Sequence, residues 1–144
     1  MKRNFSIAVL LLLVAVLACE KGPEPRDTVL NFVRALQSPD EFDYHQYLDL
    51  NELVHENADN LYVYDSTLSL QENLKKFTDL FAPEGKIRRL WTSKQIVIGE
   101  SEVAGDTALV EVSFIDRDTR KQFYNKIGLR KTESGWLIFA FKIL

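Results

Sequence analysis

Apolar positions recur every three to four residues through the first half of the chain and every second residue through the last third. The sequence therefore reads as helices followed by strands. Asp27 offers a helix N-cap, with Val29, Phe32, Val33 and Leu36 following at helical spacing. That helix stops at Ser38-Pro39, where Ser38 and Glu41 form a capping box with Pro39 at the first helical position. Phe42, Tyr44, Tyr47 and Leu48 are the apolar members of this short second helix. Asp49 and Glu52 repeat the box before Leu50, Leu53, Val54 and Leu61, and Ser69 and Glu72 repeat it before Leu70, Leu74, Phe77 and Phe81. Pro83-Glu84-Gly85 ends the last of these helices.

From Ile87 the period changes to two. Ile87–Ile98 reads as a long strand, with a bulge at Ser93–Gln95 where the apolar parity shifts. Thr107–Ile115 alternates, with Ala108, Val110, Val112 and Phe114 on one face. Lys121–Arg130 places Phe123, Ile127 and Leu129 inward, and Trp136–Leu144 closes the chain. The separators are short and rich in turn residues, which leaves no room for crossovers. The pattern predicts an α+β domain over residues 27–144, with helices packed on a four-stranded antiparallel meander.

The N-terminus changes this picture. Met1–Asn4 is basic and Phe5–Ala18 is apolar apart from Ser6, the layout of a secretory signal at 1–18. Fourteen helical residues would reach only about 21 Å, short of a hydrocarbon core of roughly 30 Å. The whole chain has 144 residues and a net charge of −3. Without residues 1–18, which hold Lys2 and Arg3 and no acid, the remaining 126 carry 16 basic and 21 acidic side chains, a net charge of −5. That length suits one domain, and that charge argues against a nucleic-acid partner. Glu20–Arg26 has two prolines, a glycine and no apolar residue, the composition of a tether at 19–26.

Val16-Leu17-Ala18-Cys19 resembles the lipobox of bacterial lipoproteins. The resemblance implies cleavage before Cys19 and acylation of its sulfur, which makes a membrane anchored through lipid the first partner. Cys19 is the only cysteine, so it has no internal disulfide partner. Glu20 stands where an aspartate would retain an enterobacterial lipoprotein in the inner membrane, which points to the outer membrane of the cell envelope.

The domain carries a second resemblance. The helix from Asp27 to Leu36, the acidic segment through Tyr47-Leu48, and the meander ending in Ser134-Gly135-Trp136-Leu137-Ile138 look like the nuclear transport factor 2-like superfamily, and within it like small lipoproteins of unknown function. The resemblance implies a cone, a curved sheet wrapped around helices with a cavity between them. Members include isomerases, cyclases, dehydratases and non-catalytic binding proteins, so the fold leaves the chemistry open.

Candidate chemistry is sparse. Isomerase-type catalysis needs a carboxylate base and an oxyanion donor in an apolar pocket. Asp40, Asp43 and Asp49 are available as bases, yet all lie in caps or first turns, where the helix dipole already accounts for an acid. His55-Glu56-Asn57-Ala58-Asp59 misses the zinc-protease pattern by its last residue, and a solvated helix face explains it better. No motif for a phosphate, a metal or another cofactor stands out. Tyr44, Tyr62, Tyr64, Trp91, Asn125 and Trp136 are the candidate cavity-lining residues, Asn125 because it is an amide between inward Phe123 and Ile127. Of Arg88 and Arg89, adjacent on a strand, one at most enters a pocket.

The final strand is apolar on both faces: Trp136, Ile138 and Ala140 on one, Leu137, Phe139, Phe141 and Ile143 on the other. Leu137, Phe139 and Phe141 are therefore the candidate face for a homodimer through the sheet. The leading functional expectation is a lipid-anchored envelope domain that binds a small ligand or an envelope protein without catalysis. The alternative is an enzyme of the isomerase, cyclase or dehydratase type.

Overall fold

Four strands form one antiparallel sheet in the order β1 (Lys94–Ala104), β2 (Thr107–Asp116), β3 (Gln122–Thr132) and β4 (Gly135–Ile143). The computed structural model describes residues 22–38, 43–57 and 62–143, apart from the side chains of Glu56, Asn57 and Ile143. The signal segment, Cys19, Asp40, the Ser38–Glu41 box and Asp59 with its zinc-like spacing lie wholly or partly outside those residues. Helix α1 (Pro25–Gln37) is followed by a 3₁₀ turn (Tyr44–Gln46), by α2 (Leu50–Glu52), which continues as a π turn (Leu53–Asn57), then by α3 (Leu70–Asp79) and α4 (Lys86–Thr92). The expected α+β class and antiparallel meander are both present.

Helix α1 starts two residues before the expected Asp27 cap. Glu24 is its N-cap and Pro25 its first residue, where a missing N–H costs nothing. Its apolar stripe, Val29, Phe32, Val33 and Leu36, is buried against the inner sheet face with Val110, Val112, Ile127, Leu129, Ile138 and Phe141. Phe32 sits at the centre, its ring 5.6 Å from Trp91, 5.9 Å from Tyr47, 6.1 Å from Phe81 and 6.4 Å from Phe141. At α3 the Ser69–Glu72 capping box is complete, and at α2 Asp49 accepts from the Glu52 N–H. In place of the predicted helix after Ser38, residues 44–46 form one 3₁₀ turn capped by Asp43.

The largest correction concerns residues 86–92. The expected strand from Ile87 is instead the helix α4, capped by Gly85. Ile87, Arg88 and Trp91 are buried together, as neighbours on a helical turn can be and Ile87 and Arg88 on a strand cannot. The parity shift near Ser93–Gln95 is where helix gives way to strand, not a bulge. The pairing irregularity in β1 falls later, between Ile98 and Ser101. Arg88 donates to the Ser38 carbonyl and so ties α4 to the end of α1.

A second correction concerns β4. Its register with β3 slips between Gly128 and Leu129, so that Phe139 and Ala140 together oppose Gly128. A Cβ on Gly128 would lie 3.1 Å from the Ala140 Cβ and 3.4 Å from the Phe139 ring, which places both on the outer face. The bulge turns Phe141 inward, where it is buried against Phe32 and Trp91. Phe141 is therefore core, and only Leu137 and Phe139 of the proposed dimer face point outward. The free edge of β4 is covered: Ile138 donates to the Tyr47 carbonyl at 2.7 Å, and Asp49 donates to the Ile138 carbonyl at 2.8 Å.

Candidate ligand cavity

Where β1 begins and β2 ends, the helical layer stops short of the sheet and leaves a cavity of about 340 Å³. Leu90 and Trp91 line it from α4, Lys94 from β1, Phe114 from β2, and Phe123, Tyr124 and Asn125 from β3. The β2–β3 register sets Phe114 opposite Phe123 and Val112 opposite Asn125, so alternation alone directs Phe123 and Asn125 to the helix side. Phe123 was expected to face inward, and its pairing with Phe114 agrees. It is nonetheless 54% exposed, because no helix of the described residues extends over this end of β3. Tyr124 at 52% and Leu90 at 43% complete an apolar rim.

Two polar features interrupt this lining. Lys94 and Asp116 are register partners, and Lys94 Nζ lies 2.5 Å from Asp116 Oδ2. Asp116 Oδ1 also accepts from the Asp118 N–H at 3.1 Å and from the Thr119 N–H and hydroxyl at 2.8 and 2.9 Å. The hydrogen bond from Lys94, then those from Thr119, hold the Asp116 carboxyl well below the usual carboxylate range. The pair is thus internally neutralised and fixes the β2–β3 turn at the mouth. Asn125 is the other feature. Its Oδ1 is buried and has no donor among the described residues, a cost of about 1–3 kcal/mol that native structures seldom carry without reason.

Of the six residues expected to line a cavity, Trp91 and Asn125 meet here and the others do not. Tyr44 packs beside Phe81 with ring centroids 6.4 Å apart. Tyr62 packs edge-on against Phe77 at 5.4 Å and donates its hydroxyl to the buried Asn73, with burial raising the phenol's pKa. Asn73 returns hydrogen bonds to the Asp65, Leu68 and Ser69 carbonyls, so this cluster shapes the loop before α3. Tyr64 stacks on His55 at 4.6 Å. Trp136 lies at the far end of the sheet, in a groove with Gly22–Pro25, Ser101, Val103, Lys131 and Gly135. Leu90 was missed because its segment was read as a strand. Phe114 was assigned to the inner face, and its pairing with Phe123 was the available signal.

Of the carboxylates named as bases, the two within the described residues are otherwise engaged. Asp43 caps the 3₁₀ turn through the His45 N–H at 3.0 Å, and Asp49 caps α2 and pairs with Arg130. Among the described residues no three His, Cys, Asp or Glu side chains gather as a metal site. No helix of the described residues is long and apolar enough to cross a membrane. Arg88 and Arg89 both belong to α4, where Arg88 is buried and Arg89 exposed.

No protein-family model matches the chain, and no curated protein matches it. Among solved structures, a chain of the type VI effector-immunity complex Tae3-Tai3 from Ralstonia pickettii is similar at 18% identity and a TM-score of 0.44. The match covers 83% of this chain and 96% of that one. Identity and overlap at that level carry neither a fold family nor a function across.

Proposed function

We propose that this protein is a lipid-anchored, non-catalytic binding module of the cone-shaped, nuclear transport factor 2-like kind. In this reading it takes a small, neutral, largely apolar ligand into the cavity at Trp91, Phe114, Phe123 and Asn125. The observation that carries it is the Asn125 Oδ1, without a donor among the described residues, beside a largely apolar lining whose one charge, Lys94, is paired with Asp116. Turned toward the cavity, that acceptor suits a ligand that brings its own N–H or O–H donor. An anionic ligand is disfavoured, because Lys94 already serves Asp116. The cone reading draws support from helices on one sheet face and from two strand irregularities, which bend sheets. The anchor reading draws on Met1–Cys19 alone.

The rival enzyme reading is weakened by the state of Asp116, the acid paired with Lys94 of the cavity lining. A carboxylate held far below its ordinary pKa by a lysine and two threonine donors is a poor general base at neutral pH. Native mass spectrometry of the protein taken from its own cells tests the binding reading. A retained small molecule in the wild type, lost in Asn125→Leu, is expected; ligand-free spectra for both contradict it. Palmitate labelling that disappears in Cys19→Ser is expected for the anchor, and unchanged labelling contradicts it.

A second copy of the chain is proposed as a further partner through the outer sheet face. Leu109 and Phe139 lie near its centre, Glu102 and Glu111 on its β1–β2 half, and Lys126 and Lys142 on its β3–β4 half. A two-fold axis parallel to the strands sets each acidic half over the partner's basic half and leaves both chain entries at one end. Light scattering at high micromolar concentration should report a dimer, and a monomer alone contradicts it.

A further inference from the structure

The place where the chain enters the fold and the place where the cavity opens are at opposite ends of the sheet. Gly22–Pro25 run through a groove lined by Ser101 and Val103 from the end of β1, Lys131 from the end of β3, and Gly135 and Trp136 from the start of β4. Arg26 fixes this entry by donating to the Gly99 carbonyl at 3.1 Å and the Ile98 carbonyl at 3.3 Å. The cavity is lined from the other ends of the same strands, by Lys94, Phe114 and Phe123–Asn125. Helix α1 spans the gap. It begins at Pro25 in the entry groove, and Gln37 at its end donates to the Trp91 carbonyl at 3.4 Å. Thirteen helical residues cover about 20 Å, and the eleven residues of β1 about 35 Å, so the two poles lie roughly 20–35 Å apart.

Three peptide units separate Cys19 from Gly22, and fully extended they reach about 10 Å. From this, and resting on the anchor reading above, we infer that the pole carrying Val103 and Trp136 lies against the lipid surface. The aromatic cavity then opens on the side facing away from the membrane, toward solutes of the aqueous compartment. The residues at the entry pole fit that contact. Val103 is a branched apolar side chain near the end of β1 that remains 56% exposed beside Gly22–Pro25. Trp136 beside it has the amphipathic ring that membrane interfaces favour. Glu24 and Lys131 in the same groove offset one another in charge, so the tether and apolar contact hold the pole down, not attraction to anionic lipid. The ligand is thereby drawn from solution and not from among the acyl chains.

The lone cysteine makes the test direct. With Cys19 acylated, an introduced cysteine is the single free thiol of the full-length protein. Ser134→Cys, in the exposed β3–β4 turn of the entry pole, and Asp118→Cys, in the exposed β2–β3 turn of the cavity pole, are labelled with a fluorophore. Each protein is reconstituted into zwitterionic vesicles carrying a short-range quencher on the lipid headgroup. Strong quenching at position 134 and its loss at position 118 are expected, unchanged by added salt. Equal quenching at both, or stronger quenching at 118, overturns the orientation. Flotation of the same vesicles separates the two readings: protein that floats but is quenched at 118 keeps the anchor and loses the orientation. Protein that does not float, like the Cys19→Ser control, removes both.

Discussion

Trp91 on α4 and Phe114 on β2 meet edge to face, with ring centroids 4.9 Å apart and planes 62° apart. The contact belongs to two structures at once. On one side Trp91 also meets Phe32 and Phe141 and closes the core. On the other side the same two rings form a wall of the cavity. Any ligand in the cavity therefore rests on a surface made rigid by the core.

The Trp91–Phe114 contact should be measurable. A double-mutant cycle of Trp91→Leu and Phe114→Leu is expected to give a coupling energy of about 0.5–1.5 kcal/mol, read from urea unfolding. Additive effects would place the two rings out of contact.

Replacing Asn125 should separate stability from binding. Asn125→Leu removes a buried acceptor that has no donor, so the ligand-free domain is expected to gain about 1 kcal/mol or more in urea unfolding. The same variant should lose ligand retention. A destabilised variant would mean that the amide is satisfied in the free protein.

Gly85 is required by close approach and not by its dihedral angles, since its φ of −69° is open to any residue. A Cβ there would fall on the Leu80 carbonyl, whose oxygen accepts from the Ile87 N–H at 3.0 Å and the Arg88 N–H at 3.3 Å. Gly85→Ala is expected to cost about 1–3 kcal/mol or more and to loosen α4, which carries Leu90 and Trp91. An unfolding midpoint equal to that of the wild type would contradict this packing.

The Lys94–Asp116 pair predicts a specific acid sensitivity. The folded protein binds the Asp116 proton more weakly than the unfolded chain, whose carboxyl has the ordinary value of 3.8. The pairing therefore contributes fully above that value, and its contribution is lost as pH falls through and below it. Asp116→Asn should be less stable than the wild type at neutral pH, and the difference should shrink once the pH drops below about 4. Urea midpoints at neutral pH and near pH 3 check this, and a constant difference contradicts it.

Much of the fold was legible because its elements follow single periodicities. The Ser69–Glu72 box, the α1 stripe and the alternation of β2 each stand on local rules that tertiary packing did not override. Residues 86–92 were misread: Ile87, Leu90 and Trp91 stand at i, i+3 and i+4, the spacing of a helix, but were joined to the alternating stretch that follows from Lys94. The faces of β4 were misassigned because one bulged residue reverses everything after it, which took Phe141 from the surface to the core. Asn125 was visible as an amide between apolar neighbours, and so was Trp91 as a large aromatic. Their meeting depends on α4, so the cavity could not be assembled from the sequence.

The central claim is that the aromatic cavity beside Asn125 accepts small neutral ligands. Side-chain NMR of the mature domain, titrated with a set of neutral aromatic alcohols and amides and with matched carboxylates, tests it most directly. The account predicts saturable shifts concentrated on the Trp91 indole and the Asn125 side-chain amide, produced by the neutral compounds and absent in Asn125→Leu. Shifts absent from both groups, or centred on Trp136 and the entry groove, would contradict it.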